Sequence, residues 1–276
     1  MNYSKTKNRM TIFLSILCVI SLSLFGCSQK KPVKTQKETE KKTDSAIKKK
    51  EETQKKKTEE TKKTNTTNTG EKICYITIDD GPTNVTPHIL DVLDKYNVKA
   101  TFFVIGATSK YSHYIKNIKE RGHAIGAHSY SHDYKYIYAS KENFYKDFNK
   151  IQTLIKKYTG TDTKLFRFPG GSSNAISKKY CKGIMTYLTK DLLKKGYNYV
   201  DWNVSTGDAT LKPLSKAKLL RNIKTSQKNV VLLMHDRPES SAYQNLSSII
   251  EYYKNQGYTF KTLDQTNYTF HHQVNN

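Results

Sequence analysis

Acidic residues, tryptophan, cysteine and long apolar runs are all scarce in this chain. Its 276 residues carry 24 Asp and Glu against 47 Lys and Arg, a formal net charge of +23. An excess of that size favours polyanionic partners. Four cysteines are present; Cys18 and Cys27 fall in the N-terminal leader, and the remaining two, Cys74 and Cys181, stand too far apart in sequence to define a disulfide framework. One tryptophan, Trp202, serves the whole chain. The one long apolar run, residues 10–25, is short for a bilayer span. Residues 30–70 hold almost nothing apolar, so they cannot bury enough surface to offset the entropy of ordering, and no part of a core is expected there.

Lys5, Lys7 and Arg9 ahead of the run 10–25 form the charged and apolar regions of an export signal. Leu24-Phe25-Gly26-Cys27 resembles the lipobox of bacterial lipoproteins, in which the cysteine is lipidated; an uncleaved signal anchor is the other reading. Either way the chain is expected to be tethered at the outer face of the plasma membrane, with residues 28–70 as a solvated Lys/Glu/Thr-rich stalk reaching toward the cell wall. Residues 71–276 form the expected folded domain, with 30 basic against 17 acidic residues. Export argues against nucleic acid as the polyanion and leaves wall polymers, lipid head groups or a generally basic surface. A monomer is expected.

From residue 73 onward apolar runs alternate with amphipathic stretches. Segments 73–79, 100–105, 123–128, 164–168, 197–202, 229–235 and 259–263 read as buried strands. Segments 87–96, 111–121, 141–158, 186–195, 215–225 and 242–256 read as helices, several followed by stop signals such as Arg121-Gly122, Lys195-Gly196 and Gln256-Gly257. This rhythm predicts an α/β fold: a distorted (β/α) barrel of about seven parallel strands with outer helices. Chemistry in such folds sits at the C-terminal strand ends. There the sequence places Asp79 and Asp80, His128, Arg167, Asp201 with Trp202, and His235.

Ile76-Thr77-Ile78-Asp79-Asp80-Gly81-Pro82 ends a strand in two adjacent carboxylates, which repel unless a cation or a proton lies between them. Asp80 with His128 and His132, the two histidines four apart, reads as a facial metal triad suited to Zn²⁺, with Co²⁺, Ni²⁺ and Fe²⁺ as alternatives. Asp79 is then free to act as general base toward water activated by the ion. His235, after five apolar residues, is the candidate general acid, with Asp201 expected to orient it and raise its pKa. Arg167 is expected to pair with Asp79 or Asp201, and a backbone N–H near Gly170 to complete an oxyanion site. Trp202 reads as a pocket wall or as core. Tyr130, Tyr134, Tyr136 and Tyr138 read as a sugar-stacking platform or as local packing.

These motifs resemble the polysaccharide deacetylase family, the NodB-homology domain of carbohydrate esterase family four. The resemblance covers about residues 73–265, through Thr77–Pro82, His128–His132, Arg167-Phe168-Pro169-Gly170, Asp201-Trp202 and Leu233-Met234-His235. It implies a divalent metal on Asp80, His128 and His132, Asp79 as base, His235 as acid tuned by Asp201, Arg167 orienting the carboxylates, and Gly170, Trp202 and Leu233 as substrate contacts. It also implies removal of N-acetyl groups from a glycan, with peptidoglycan N-acetylglucosamine and protection of the wall from lysozyme as the leading expectation. N-acetylmuramic acid, poly-N-acetylglucosamine, chitin oligomers and acetylated xylan are the alternatives. Non-catalytic glycan binding and simple polyanion binding are the rival classes. Two departures stand out: Ile78 replaces a common Phe, and Ser205 fills a place that is often acidic.

Overall fold

The computed structural model describes residues 70–210 and 212–275; the leader, Cys27 and the stalk lie outside the described residues. Strand β1 (Lys72–Asp79) is buried on both faces from Cys74 onward, which is why it reads as an almost unbroken apolar run. Successive side chains of a strand point to opposite faces. Cys74, Ile76 and Ile78 join the large core shared with the helices, whereas Tyr75 belongs to a smaller inner cluster with Phe103, Leu165, Val200 and Val231. Thr77 and Asp79 share the parity of Tyr75, so Asp79 ends the inner face.

The other strands are β2 (Thr101–Ile105), β3 (Ala124–Ser129), β4 (Leu165–Phe166), β5 (Asn198–Tyr199), β6 (Val204–Ser205), β7 (Asn229–His235) and β8 (Tyr258–Phe260). All pair in parallel, in the order β5-β4-β3-β2-β1-β7-β6. β7 follows one edge of β1 from Ile73 opposite Asn229 to Asp79 opposite His235. On the other edge β2 pairs with residues 77–79 and β8 with residues 72–74. The distorted barrel with outer helices is therefore the observed architecture. β6 was not expected, since two residues give no period to read. Among the described residues no pairing joins β5 to β6, and the end of the chain lies there. Asp201 N–H donates to the Phe270 carbonyl, and His271 stacks on Tyr199 with ring centroids 3.9 Å apart.

Helix Lys141–Thr159 shows why the outer layer holds. Ser140 caps its start by accepting from Asn143 N–H, and Gly160, at φ 83°, ends it. Its buried stripe includes Phe144, Phe148, Ile151 and Ile155, and the rings of Phe144 and Phe148 meet Phe166 at 80° and 64°. Burying one such side chain stabilises by about 1.5–3 kcal/mol. Asp147 and Gln152 interrupt the stripe and are buried too.

Several expected elements come out differently: the strand expected over 164–168 is reduced to Leu165–Phe166, that over 259–263 to Tyr258–Phe260, and three others change more. The helix expected over 242–256 is two helices, Ser241–Gln244 and Leu246–Asn255, because the Asn245 side chain donates to the Ser241 carbonyl and breaks the run. Segment 111–121 begins with a 3₁₀ turn, Ser109–Tyr111, and turns α-helical over Tyr114–Glu120. Of 197–202 only Asn198–Tyr199 joins the ladder, since the chain then meets its own C-terminal stretch. Cys74 and Cys181 are both free thiols.

Candidate active site

β1 delivers Asp79 inward and then turns sharply. Asp80 sits at φ 71°, a left-handed conformation that aspartate tolerates better than most residues, and this turn aims the second carboxylate back over the strand end. The β3 loop does the same with its second histidine: His128 is the fifth residue of β3 and His132, at φ 52°, lies one tight turn later. Asp80 Oδ1 lies 3.6 Å from His128 Nε2 and 3.3 Å from His132 Nε2. One ligand atom from each of the three residues falls within 4.8 Å of the others.

These residues fit a divalent cation. Burial, then the neighbouring His132, lowers the His128 pKa to about 3, so its imidazole is neutral at any ordinary pH and its approach to the two carboxylates is not an ion pair. His128 Nδ1 lies 2.7 Å from the Arg167 carbonyl, which fixes the tautomer with the proton on Nδ1 and leaves the Nε2 lone pair facing Asp80. Asp80 Oδ1 is buried without a hydrogen-bond partner. Acceptors that converge with no proton to share are what a cation satisfies.

Asp79 is almost fully buried, and an Arg167 guanidinium N–H donates to its Oδ1 at 2.9 Å. Burial raises the Asp79 pKa; Arg167 offsets this only in part, leaving it above the ordinary carboxylate value. Arg167 is itself fully buried and also donates to Thr77 Oγ1, the Val200 carbonyl and the Asp201 carbonyl. It therefore reaches the Asp79 side chain but only the backbone of Asp201. The Phe103 ring packs 4.3 Å below its carbon.

His235 lies opposite Asp79 in the β1–β7 register. Its partner is not Asp201. His235 Nδ1 is 2.8 Å from Asp208 Oδ1, and its backbone N–H donates to Asp208 Oδ2 at 3.0 Å. Burial presses the His235 pKa down, but the hydrogen bond and charge of Asp208, with Asp80 and Asp79 behind it, outweigh this and leave it raised. Asp208 is held in turn by Thr206 and Ser240 and titrates below its usual value, burial being outweighed by His235. The assignment of Asp201 to His235 is thus corrected. Asp201 accepts from Ser172 N–H at 2.8 Å, from the Ser172 hydroxyl and from His272 N–H at 2.8 Å, so it ties the glycine loop to the C-terminal stretch. Both aspartates follow short strands, and the C-terminal stretch occupies Asp201 while Asp208 meets His235.

Gly170 and Gly171 each adopt φ 77°. A Cβ on Gly170 would lie 2.9 Å from Tyr134 Oη, and one on Gly171 2.9 Å from the Trp202 ring. Neither position admits a side chain without a shift. Trp202 packs under this turn and against His272, with centroids 4.8 Å apart at 80°. Leu233 has the parity of Val231 and His235, so it lies on the inner face one step below His235. Of the four tyrosines, Tyr138 is buried and donates to the Pro169 carbonyl, Tyr130 fills the space beside Gly106, and Tyr134 meets His132 edge-on at 5.5 Å. Burial, then Asp80 and Asp79, pushes the Tyr134 pKa up to about 12.

Sequence reasoning missed Asp208, Arg237, Asp147 and Asp236. Asp208 ends the β6 turn Thr206-Gly207-Asp208, and the strand-end rule finds it once β6 is counted. Arg237, two residues past His235, brings Nε to 3.9 Å from Asp80 Oδ2.

A parallel barrel whose strand ends bring together two acids, two histidines and a second acid–histidine pair defines a class of metal-dependent hydrolase. The family model described as polysaccharide deacetylase matches residues 66–184. The chain is 46% identical to the catalytic domain of peptidoglycan N-acetylglucosamine deacetylase from Eubacterium rectale, with a TM-score of 0.72 over 74% of this chain and 94% of that one. It is 30% identical over 198 residues to a peptidoglycan-N-acetylglucosamine deacetylase of Bacillus cereus, covering 69% of this chain and 68% of that protein. It is 31% identical over 202 residues to a peptidoglycan-N-acetylmuramic acid deacetylase of Bacillus subtilis, covering 71% and 72%. The chain belongs to the polysaccharide deacetylase family, carbohydrate esterase family four with its NodB-homology fold. It is an enzyme of that deacetylase class, a family that depends on metal in general.

Proposed function

We propose that the chain hydrolyses N-acetyl groups of cell-wall glycan, with N-acetylglucosamine of peptidoglycan as substrate and Zn²⁺ as the metal. The observation that carries this reading is the placement of a buried, raised carboxylate, Asp79, directly across the β1–β7 register from a raised imidazole, His235, beside three converging ligands. Asp80, His128 and His132 would hold the ion, which when bound would supply Lewis acidity toward the acetamide carbonyl and lower the pKa of water to about 7. Asp79 takes the proton of the attacking water. Its Arg167 contact fixes which oxygen faces the site, and its raised pKa brings it nearer the working pH of a base. The Gly170 N–H donates to the developing oxyanion, and Leu233 and Trp202 bound the space for the acetyl group. His235, proton-bearing because Asp208 stabilises its charged form, gives the proton on its Nε2 to the departing amine nitrogen as the C–N bond breaks. Acetate and a free glucosamine result.

The leader and stalk support an extracytoplasmic location, with residues 71–276 working as a monomer at a distance from a membrane anchor at Cys27. The reaction adds positive charge to the glycan and so protects it from lysozyme. Acetate release from purified peptidoglycan, measured with chelator, with Zn²⁺ restored and with Asp79→Asn, tests the reading, while muropeptide masses locate the lost acetyl. Metal-restored release lost in the variant, mapped to glucosamine, is the expected result. Loss mapped to muramic acid moves the substrate to that of the Bacillus subtilis relative, and silence on peptidoglycan and on acetylated oligosaccharides alike overturns the proposal.

A further inference from the structure

Two buried carboxylates outside the site each grip one of the loops that carry the ligands. Asp147, in helix Lys141–Thr159, accepts from Ser129 Oγ at 2.6 Å, Tyr130 N–H at 2.7 Å and Ser131 N–H at 2.8 Å. The same Ser129 hydroxyl accepts from His132 N–H at 2.9 Å. The turn from Ser129 to His132 is thereby pinned, directly or through one hydroxyl, to a single aspartate. Asp236 does the corresponding work for the other loop. It accepts from Thr83 Oγ1 at 2.7 Å and Thr86 Oγ1 at 2.6 Å, and its own N–H donates to the Asp79 carbonyl at 2.8 Å. A Cβ on Gly81 would lie 2.4 Å from Asp236 Oδ2, so Asp236 also closes off the space beside the turn that follows Asp80.

The two loops share a need for such support. Each presents a ligand from a left-handed non-glycine residue, Asp80 at φ 71° and His132 at φ 52°, conformations that persist only where surrounding contacts enforce them. Neither Asp147 nor Asp236 belongs to the converging set Asp80, His128 and His132. Their oxygens are committed to loop donors from elements on opposite sides of the site, one from a helix behind β3 and one from the end of β7.

We propose that Asp147 and Asp236 are paired positioning residues that hold the two ligand loops in their metal-binding conformation before any ion arrives, so that metal affinity depends on both. The proposal rests on the metal reading of the site. Partners that orient ligands change affinity or activity by about 10–100-fold when removed. The test is Zn²⁺ affinity, read without substrate by competition with a chromophoric chelator. It uses the full chain and its Asp147→Asn and Asp236→Asn variants, at a temperature where circular dichroism shows each folded. Each variant is expected to bind Zn²⁺ about 10–100-fold more weakly than the parent. Ser129→Ala and Thr86→Val, which keep the carboxylates and remove one donor, are expected to lose affinity in the same direction and serve where an aspartate variant does not fold. Affinity within twofold of the parent in folded variants, with only the melting temperature lowered, overturns the proposal and assigns both residues to stability alone. A parent chain that binds no Zn²⁺ overturns the metal reading beneath it, an outcome distinct from the first.

Discussion

The half of the site on β1 and β3 is made of neighbours in sequence, Asp79 beside Asp80 and His128 four residues from His132, whereas the half around His235 draws its carboxylate from Asp208, 27 positions away. In the first half the reacting residues sit at two strand ends and the turns just after them, so residue spacing already marks which residues converge, although remote contacts hold the turns. In the second half the partner depends on where a short strand, a glycine turn and the chain terminus come to rest. Asp201 and Asp208 make the point. Each follows a two-residue strand, yet Asp201 is taken by Ser172 and His272 while Asp208 reaches His235.

The comparison can be broken or sharpened by substitution. The largest effect is expected from Asp79→Asn, which removes the base of the first half and lowers kcat by about 10²–10⁴-fold, as measured by acetate release from metal-loaded enzyme. Arg167→Met next strands a buried Asp79 without its partner. Breaking a buried pair in this way is expected to destabilise the fold by about 3–5 kcal/mol in a denaturant titration. Asp208→Asn is expected to lower kcat by about tenfold or more and to change the pH profile. With the anion gone, burial dominates and His235 loses its proton at lower pH, so the alkaline limb moves toward acid. Asp201→Asn weakens the link between the glycine loop and the tail and is expected to lower turnover or thermal stability while leaving the alkaline limb in place.

Much of the fold was legible because its signals are local. β1, β2, β3 and β7 each hold five or more consecutive buried residues, many of them apolar, and helices such as Lys141–Thr159 announce themselves by a capping Ser140 and a terminating Gly160. β6 was not legible, since Val204–Ser205 has no period, and with it Asp208 escaped notice. Asp147 left a trace, an acid within the apolar stripe of its helix, whose meaning appears only once Ser129 and the turn after it are seen to fill its oxygens. Asp236 stands beside His235 in the sequence, but its grip on Thr83 and Thr86 spans about 150 residues and has no local signature.

The most direct test of this division is the pH dependence of kcat/KM for acetate release by the parent chain, Asp208→Asn and Asp201→Asn, each loaded with the same metal. The structure predicts that the alkaline limb shifts toward acid in Asp208→Asn and stays at the parental position in Asp201→Asn. A limb that shifts in Asp201→Asn and not in Asp208→Asn would contradict the account, returning His235 to Asp201, the partner expected from the strand-end pattern and the family resemblance.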